Sequence, residues 1–299
     1  MALISVMSAK GAPGATSTAL LLANLWPDPS LVVDADPLGG DIALRLAGEH
    51  GPLNPNQGLM SLLPAARRGL VPEMVPGHAQ TALGGQQVVP GLPGPEQAVA
   101  VAPLWPELAN AFGKVPGTDV FADVGQVHAR SPHQVMLERA DAVVCVFRPT
   151  AWSVVHTRRR LEALQDLLRE RVSVVGAVCV AAHDQTSDAH AALDGVTSGL
   201  RWVADLGIVA HDRKAVVMYE GGVVYRPERT LLARSGSTVA RTLYDALAAS
   251  GALGAVPSGE QSTVATPGTV DESPLDADRE PGRRADRSRG RRVLRRADR

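Results

Sequence analysis

Apolar positions fall into short, nearly unbroken runs, separated by stretches in which they recur every three to four residues. The runs ALISVM (2–7), LVVD (31–34), QQVV (86–89), DVFAD (119–123), AVVCVF (142–147), VSVVGAVCV (172–180) and VADLGIV (203–209) predict strands. Strands that are apolar throughout, rather than at alternate positions, are covered on both faces, as in a parallel sheet. Helical spacing is read over 16–25, 40–47, 58–66, 95–112, 131–139, 151–171, 186–197 and 228–249. Strand and helix alternate, so the expected class is α/β: three layers, with a mostly parallel sheet flanked by helices. Residues 48–93 are rich in Gly and Pro and are expected to form a loop-heavy excursion with one helix.

The 299 residues are 45% hydrophobic and 20% charged, which is ordinary for a globular chain. Only 3% are aromatic, so Ala, Val and Leu must build the core. Trp105, Trp152 and Trp202 stand at helix or strand starts and are expected to pack. Beyond Ala255 the apolar residues almost vanish, and a segment that cannot bury enough surface does not fold alone. The expected organisation is therefore one domain over 1–254 and a disordered arginine-rich tail over 255–299. Residues 279–299 carry ten Arg against Glu280, Asp286 and Asp298, so a basic tail follows an acidic body. Such a tail suits contact with nucleic-acid phosphates or an anionic membrane, and equally a solvated tail. Cys145 and Cys179 lie in apolar runs and are expected to be buried thiols. No run approaches the roughly 20 apolar residues of a membrane span, and the opening MALISVMSAKG is too short for a signal peptide. A cytoplasmic location is expected, with peripheral attachment at membrane or nucleoid as a variant.

The chemistry-bearing segment is SAKGAPGATS (8–17), which follows the first strand directly and opens an apolar helix. A strand, a Gly-rich turn and a helix N-terminus together form an anion site, because free N–H groups and the helix dipole face the ligand. Lys10 is one of three lysines, with Lys114 and Lys214, in a chain whose other basic residues are Arg.

Lys10-Gly11-Ala12-Pro13-Gly14-Ala15-Thr16 resembles the deviant Walker A loop, KGGxGK[ST], of the ParA/MinD partitioning ATPases. Further segments fit in order over about 1–250. LVVDADPLGGDIALRLAG (31–48) resembles the second strand and first switch, DVFADVG (119–125) the Walker B strand, ADAVVCVFRPTAWSV (140–154) a strand with its proline turn, and LGIVAHDRKAV (206–216) the segment near the base. The resemblance implies a P-loop NTPase fold that binds ATP or ADP with Mg²⁺. It implies nucleotide on Lys10 through Ser17 (Lys10, Gly11, Ala12, Pro13, Gly14, Ala15, Thr16, Ser17), with Asp212 near the base. Metal is implied on Thr16, Asp36 and Asp123, with Asp34 close by. Asp36 would orient the attacking water, and Lys10 would reach a partner's phosphates in a homodimer.

Departures from the pattern change the expected activity. Ala15 replaces the lysine that lies along the β- and γ-phosphates, a cation commonly worth on the order of 10²–10³ in rate. Ala12 adds a methyl, Pro13 removes a donor, the base-side Asn is absent from Val180-Ala181-Ala182-His183, and Ala210 stands where Pro is usual. The expectation is a positioning or partitioning protein with slow ATP turnover, whose nucleotide-controlled dimer recruits a partner at chromosome, septum or pilus. The degenerate loop also resembles the ParA-like scaffolds of Tad/Flp pilus systems (TadZ/CpaE-like). The alternative is a pseudo-ATPase scaffold; a related synthetase or amidotransferase lacks a substrate signature here. His128 and His133 flank the second switch and are expected to be ordinary surface or helix-start residues, and 238–253 to be a core-packing last helix.

Overall fold

A computed structural model of the chain describes residues 1–10, 14–48, 51–220, 222 and 224–253. Ten strands run as β1 (Leu3–Ser8), β2 (Ser30–Asp34), β3 (Ala47–Gly48), β4 (Gly51–Pro52), β5 (Gln80–Thr81), β6 (Gln87–Val89), β7 (Asp119–Gln126), β8 (Ala142–Phe147), β9 (Val174–Ala181) and β10 (Ala204–Ala210). The α-helices are α1 (Ala15–Asn24), α2 (Ile42–Arg45), α3 (Leu59–Ala66), α4 (Ala98–Val101), α5 (Trp105–Phe112), α6 (Val135–Glu138), α7 (Ala151–Ala163), α8 (Gln165–Arg171), α9 (Thr186–Thr197) and α10 (Leu231–Ser250).

Eight strands form one sheet in the order β10-β9-β8-β1-β7-β2-β6-β5. Every pairing in it is parallel except β5 with β6 at the edge. The continuous apolar runs have the predicted cause. Leu3 and Met7 of β1 enter a core with α3, α5 and α9, while Ile4 and Val6 enter a second core with α1 and α10. A strand buried on both faces has no polar side to show. Within the second core Leu20, Leu21 and Leu22 of α1 are all buried, at about 1.5–3 kcal/mol each for such side chains.

The strand starts are tied by carboxylates. Asp119 accepts from the Ala2 N–H at 2.6 Å and from Trp26 Nε1 at 2.7 Å, and Asp141 accepts from the Leu3 N–H at 2.8 Å. Both cysteines are free and buried, and burial pushes each thiol up to about 12. The last helix spans Leu231–Ser250, opens on Thr230 Oγ1 accepting from the Ala233 N–H at 3.1 Å, and buries Val239, Leu243 and Leu247. It is the packing helix the sequence implies.

Three expectations need correction. The helix read over 95–112 is a series of short pieces ending in α5, because Pro103 and Pro106 remove donors that a continuous helix needs. The helix read over 151–171 breaks at Leu164, which adopts φ −105°, ψ 4°. Trp105 is fully buried, but Trp152 is 58% exposed, so it does not pack. His133 stands at a helix start, one of the two places expected for it, and is buried there. The 48–93 excursion carries the β3–β4 hairpin and β5 beside its helix α3. Contacts group Met1–Val256 as one unit; the arginine-rich tail read over 255–299 lies outside the described residues. Among the described residues no helix is long and apolar enough to cross a membrane.

Candidate functional site

The site lies at the carboxyl ends of the central strands, where open α/β sheets hold ligands. Gly11, Ala12 and Pro13 lie outside the described residues. Gly14 takes φ 99°, a left-handed turn that Gly adopts without strain, and launches α1. That helix has no side-chain cap and no acidic residue in its first turn. Its leading N–H groups and positive dipole end are therefore available to an anion.

Register pairs two carboxylates, Asp34 and Asp123, and a third, Asp36, follows β2 close by. Asp34 on β2 pairs directly with Asp123 on β7. Asp34 is buried, accepts from the Ile42 N–H at 3.0 Å, and is packed by Gly40 and by Gly91 of the excursion. Burial and the Asp123 charge push its carboxyl well up. Burial also raises Asp123, but the Thr16 hydroxyl, the Gly125 N–H (3.2 Å) and the Arg45 charge pull it back down. Asp34 is thus the member of the pair that keeps a proton longer. Asp36 accepts from the Leu38 N–H at 2.8 Å, and burial raises its carboxyl as well. Gly125 has φ 57°, and a β-carbon there would collide with the Asp36 carboxylate.

A cleft of about 240 Å³ runs from this helix tip. Gly14, Ala15, Thr16 and Ser17 line it, together with the apolar Val180, Val209, Val216 and Leu232 and with Asp212. Asp212 accepts from the N–H groups of Lys214 and Ala215, both at 3.1 Å, which fixes its carboxylate. Two cations that the sequence reading missed also line the cleft. Arg45 of α2 donates from Nη2 to Ser17 Oγ at 2.8 Å, and Arg148 follows β8. Neither makes an ion pair among the described residues. No local motif marks them, because each reaches the cleft from a different strand end.

Lys10 is exposed and lines another cavity, which shares no residue with the cleft. Of the residues expected to act together, the structure unites Gly14 to Ser17 with Asp212 around the cleft, and links Thr16 to Asp123, whose carboxyl also feels the Asp36 charge. Lys10, expected to reach a partner's phosphates, does not line the cleft of its own chain. Among the described residues no group of three or more His, Cys, Asp or Glu could hold a metal by itself. Thr16 and Asp123 still present two hard oxygens in contact, which suits a Mg²⁺ ion that takes one or two protein ligands and keeps water and phosphate for the rest.

No protein-family model matches the chain, and no curated protein matches it. Solved structures do. A ParA family ATPase from Chlorobium tepidum superposes with a TM-score of 0.61 at 16% identity, covering 81% of this chain and 98% of that one. The fold is that of the ParA and MinD ATPases. MinD from Pyrococcus horikoshii, solved with Mg-ADP, gives a TM-score of 0.61 at 17% identity over 80% of this chain and 94% of its own. The MinC:MinD cell division complex from Aquifex aeolicus gives 0.57 at 16% identity over 82% and 96%. In the ParA/MinD fold of this chain, the excursion that supplies Gly91 and the helix that supplies Arg45 shape the ground around the loop.

Proposed function

We propose that the chain binds Mg-ATP or Mg-ADP in this cleft and serves as a slow, nucleotide-controlled positioning protein. The observation that carries this reading is the return of positive charge to the cleft. Ala15 supplies none, but Arg45 is fixed on the first turn of α1 and Arg148 faces the same space. The α1 N–H groups would hold the phosphates, the apolar lining and Asp212 would take the base side, and Thr16 with Asp123 would hold Mg²⁺. A bound Mg²⁺ supplies charge neutralisation at the phosphates. Asp36, held by the Leu38 N–H and seated against Gly125, would orient a water.

Turnover is slow in this reading, because position 15 carries no lysine and Arg45 is engaged with Ser17 Oγ. Nucleotide state would control a homodimer that recruits a protein partner at chromosome, septum or pilus, with the basic residues 279–299 adding contact to a nucleic acid or an anionic membrane. The second reading is a pseudo-ATPase scaffold that works through partners alone. It is favoured by Ala15, which leaves the loop without its usual lysine, and by the absence of the base-side Asn.

Phosphate release in steady state separates the two. A slow ATPase shows measurable turnover in the wild type, and Ala15→Lys raises it by roughly 10²-fold. No turnover in either protein overturns the enzymatic reading and leaves the scaffold.

A further inference from the structure

The segment that leaves β7 carries two left-handed residues. Gly125 takes φ 57° and Arg130 takes φ 76°. Glycine adopts that region freely, but an arginine there is strained and persists only where its surroundings hold it. The Arg130 N–H donates to Gln134 Oε1 at 2.8 Å, the His128 N–H donates to Ser131 Oγ at 2.9 Å, and the Ser131 N–H returns to the His128 carbonyl at 2.9 Å. His128, Ala129 and Arg130 are exposed. His133 then ties the segment back to the end of β7, its Nε2 lying 3.2 Å from the Gln126 carbonyl.

A carbonyl only accepts, so Nε2 carries the proton in that bond and, in the neutral ring, Nδ1 is left as an acceptor. Burial pulls the ring below the ordinary histidine range, against the Gln126 and Val124 carbonyls, which favour its charged form. His133 is buried, and its Nδ1 has no hydrogen-bond partner among the described residues. Beside it stands Trp105 of α5, with ring centroids 6.1 Å apart. The Trp105 Nε1 is likewise buried without a partner among the described residues. An indole N–H only donates. An acceptor and a donor of matching kind are therefore left unsatisfied on neighbouring buried rings, and each such group is costly. Backbone strain outside and unmade bonds inside belong to the same segment, and one rearrangement relieves both.

We propose that His133 is a two-position latch on the segment that joins β7 to α6. In the position seen, Nε2 holds the Gln126 carbonyl. In the other, the ring turns so that Nδ1 accepts from the Trp105 indole N–H, the Gln126 carbonyl is let go, and the turn at Arg130 opens. Gly125 is the hinge, and it is also the residue against which the Asp36 carboxylate is seated. The latch thereby couples a buried ring pair to a carboxylate of the candidate site. It uses no nucleotide, so it stands or falls separately from the function proposed above.

The test is hydrogen–deuterium exchange of the full-length chain without nucleotide, read by mass spectrometry on peptides spanning 124–134. Trp105→Phe removes the donor of the open position and should slow exchange of the segment by roughly threefold to fivefold. It also leaves a cavity, and lost packing speeds exchange, so slowing cannot come from packing alone. His133→Phe removes the bond to Gln126 and should speed exchange by a similar factor. His133→Gln, whose amide offers a new donor to the Gln126 carbonyl, should recover much of that change. A packing role for both rings moves Trp105→Phe and His133→Phe in the same direction. Exchange in Trp105→Phe that is faster than or equal to the wild type overturns the proposal, as does His133→Phe exchanging no faster than the wild type. Where His133→Phe fails to fold, the sign of the Trp105→Phe effect decides.

Discussion

Arg45 Nη2 donates to Ser17 Oγ at 2.8 Å, which sets a guanidinium on the first turn of the helix that begins at Ala15. The bond joins α2 to the N-terminal turn of α1. Replacing Arg45 by Ala should therefore weaken Mg-ATP binding by about 1.5–3 kcal/mol, roughly 10–100-fold. Arg45→Lys should recover part of that loss, and thermal stability should move little. Equal affinities for the wild type and Arg45→Ala would leave the cleft without its main cation.

Asp34 gives a stability signature in pH. Its carboxyl is raised from 3.8 to about 8, first by burial and then by the charge of Asp123. Between those values the folded chain keeps a proton that the unfolded chain has released, so unfolding free energy falls as pH rises from about 4 to about 8. Asp34→Asn keeps an acceptor for the Ile42 N–H and removes the charge. Without divalent cations, the variant should match the wild type near pH 4 and exceed it near pH 8 by on the order of 1–3 kcal/mol. Parallel stability curves from urea titrations across that range would refute this account of the pair.

Gly125 is required by both backbone and space. Its φ is 57°, and a β-carbon would enter the Asp36 carboxylate. Gly125→Ala should cost about 1–3 kcal/mol in chemical denaturation. It should also displace Asp36 and remove whatever phosphate release the wild type shows. A variant as stable as the wild type would mean that the turn relaxes at no cost.

Asp119 joins the first strand to Trp26 at the opposite end of the sheet from the cleft. Asp119→Ala leaves two donors, the Ala2 N–H and Trp26 Nε1, without their acceptor. The expected destabilisation is about 2–4 kcal/mol, with nucleotide affinity unchanged where the protein remains folded. Trp26→Phe, which removes one donor with its bond, should cost less. Reversal of that order in thermal melts would contradict the buried hydrogen-bond reading.

The strands and their layering were legible because burial on both faces leaves a signal within six or so consecutive residues, as in AVVCVF. The helix α9, Thr186–Thr197, was legible for a similar local reason. Breaks were harder to read. Leu164 ends α7 through its own backbone angles, and no Gly or Pro marks it. Trp152 looked like a packing residue because large aromatics usually are, but its place on the first turn of α7 faces outward. In the candidate site, the resemblance named Thr16, Asp36 and Asp123, and the structure brings the Thr16 hydroxyl to Asp123 with the Asp36 charge nearby. Arg45, Arg148 and the Gly91 cover over Asp34 were not legible, because each depends on a contact between segments far apart in sequence.

The most direct measurement is calorimetric titration of Mg-ATP into the wild-type chain, with size measured in parallel. The account predicts binding in the micromolar range, weakened by Arg45→Ala, with a shift from monomer to dimer. No heat and no change in size at millimolar Mg-ATP would contradict it, and would leave a ParA/MinD fold that acts without nucleotide.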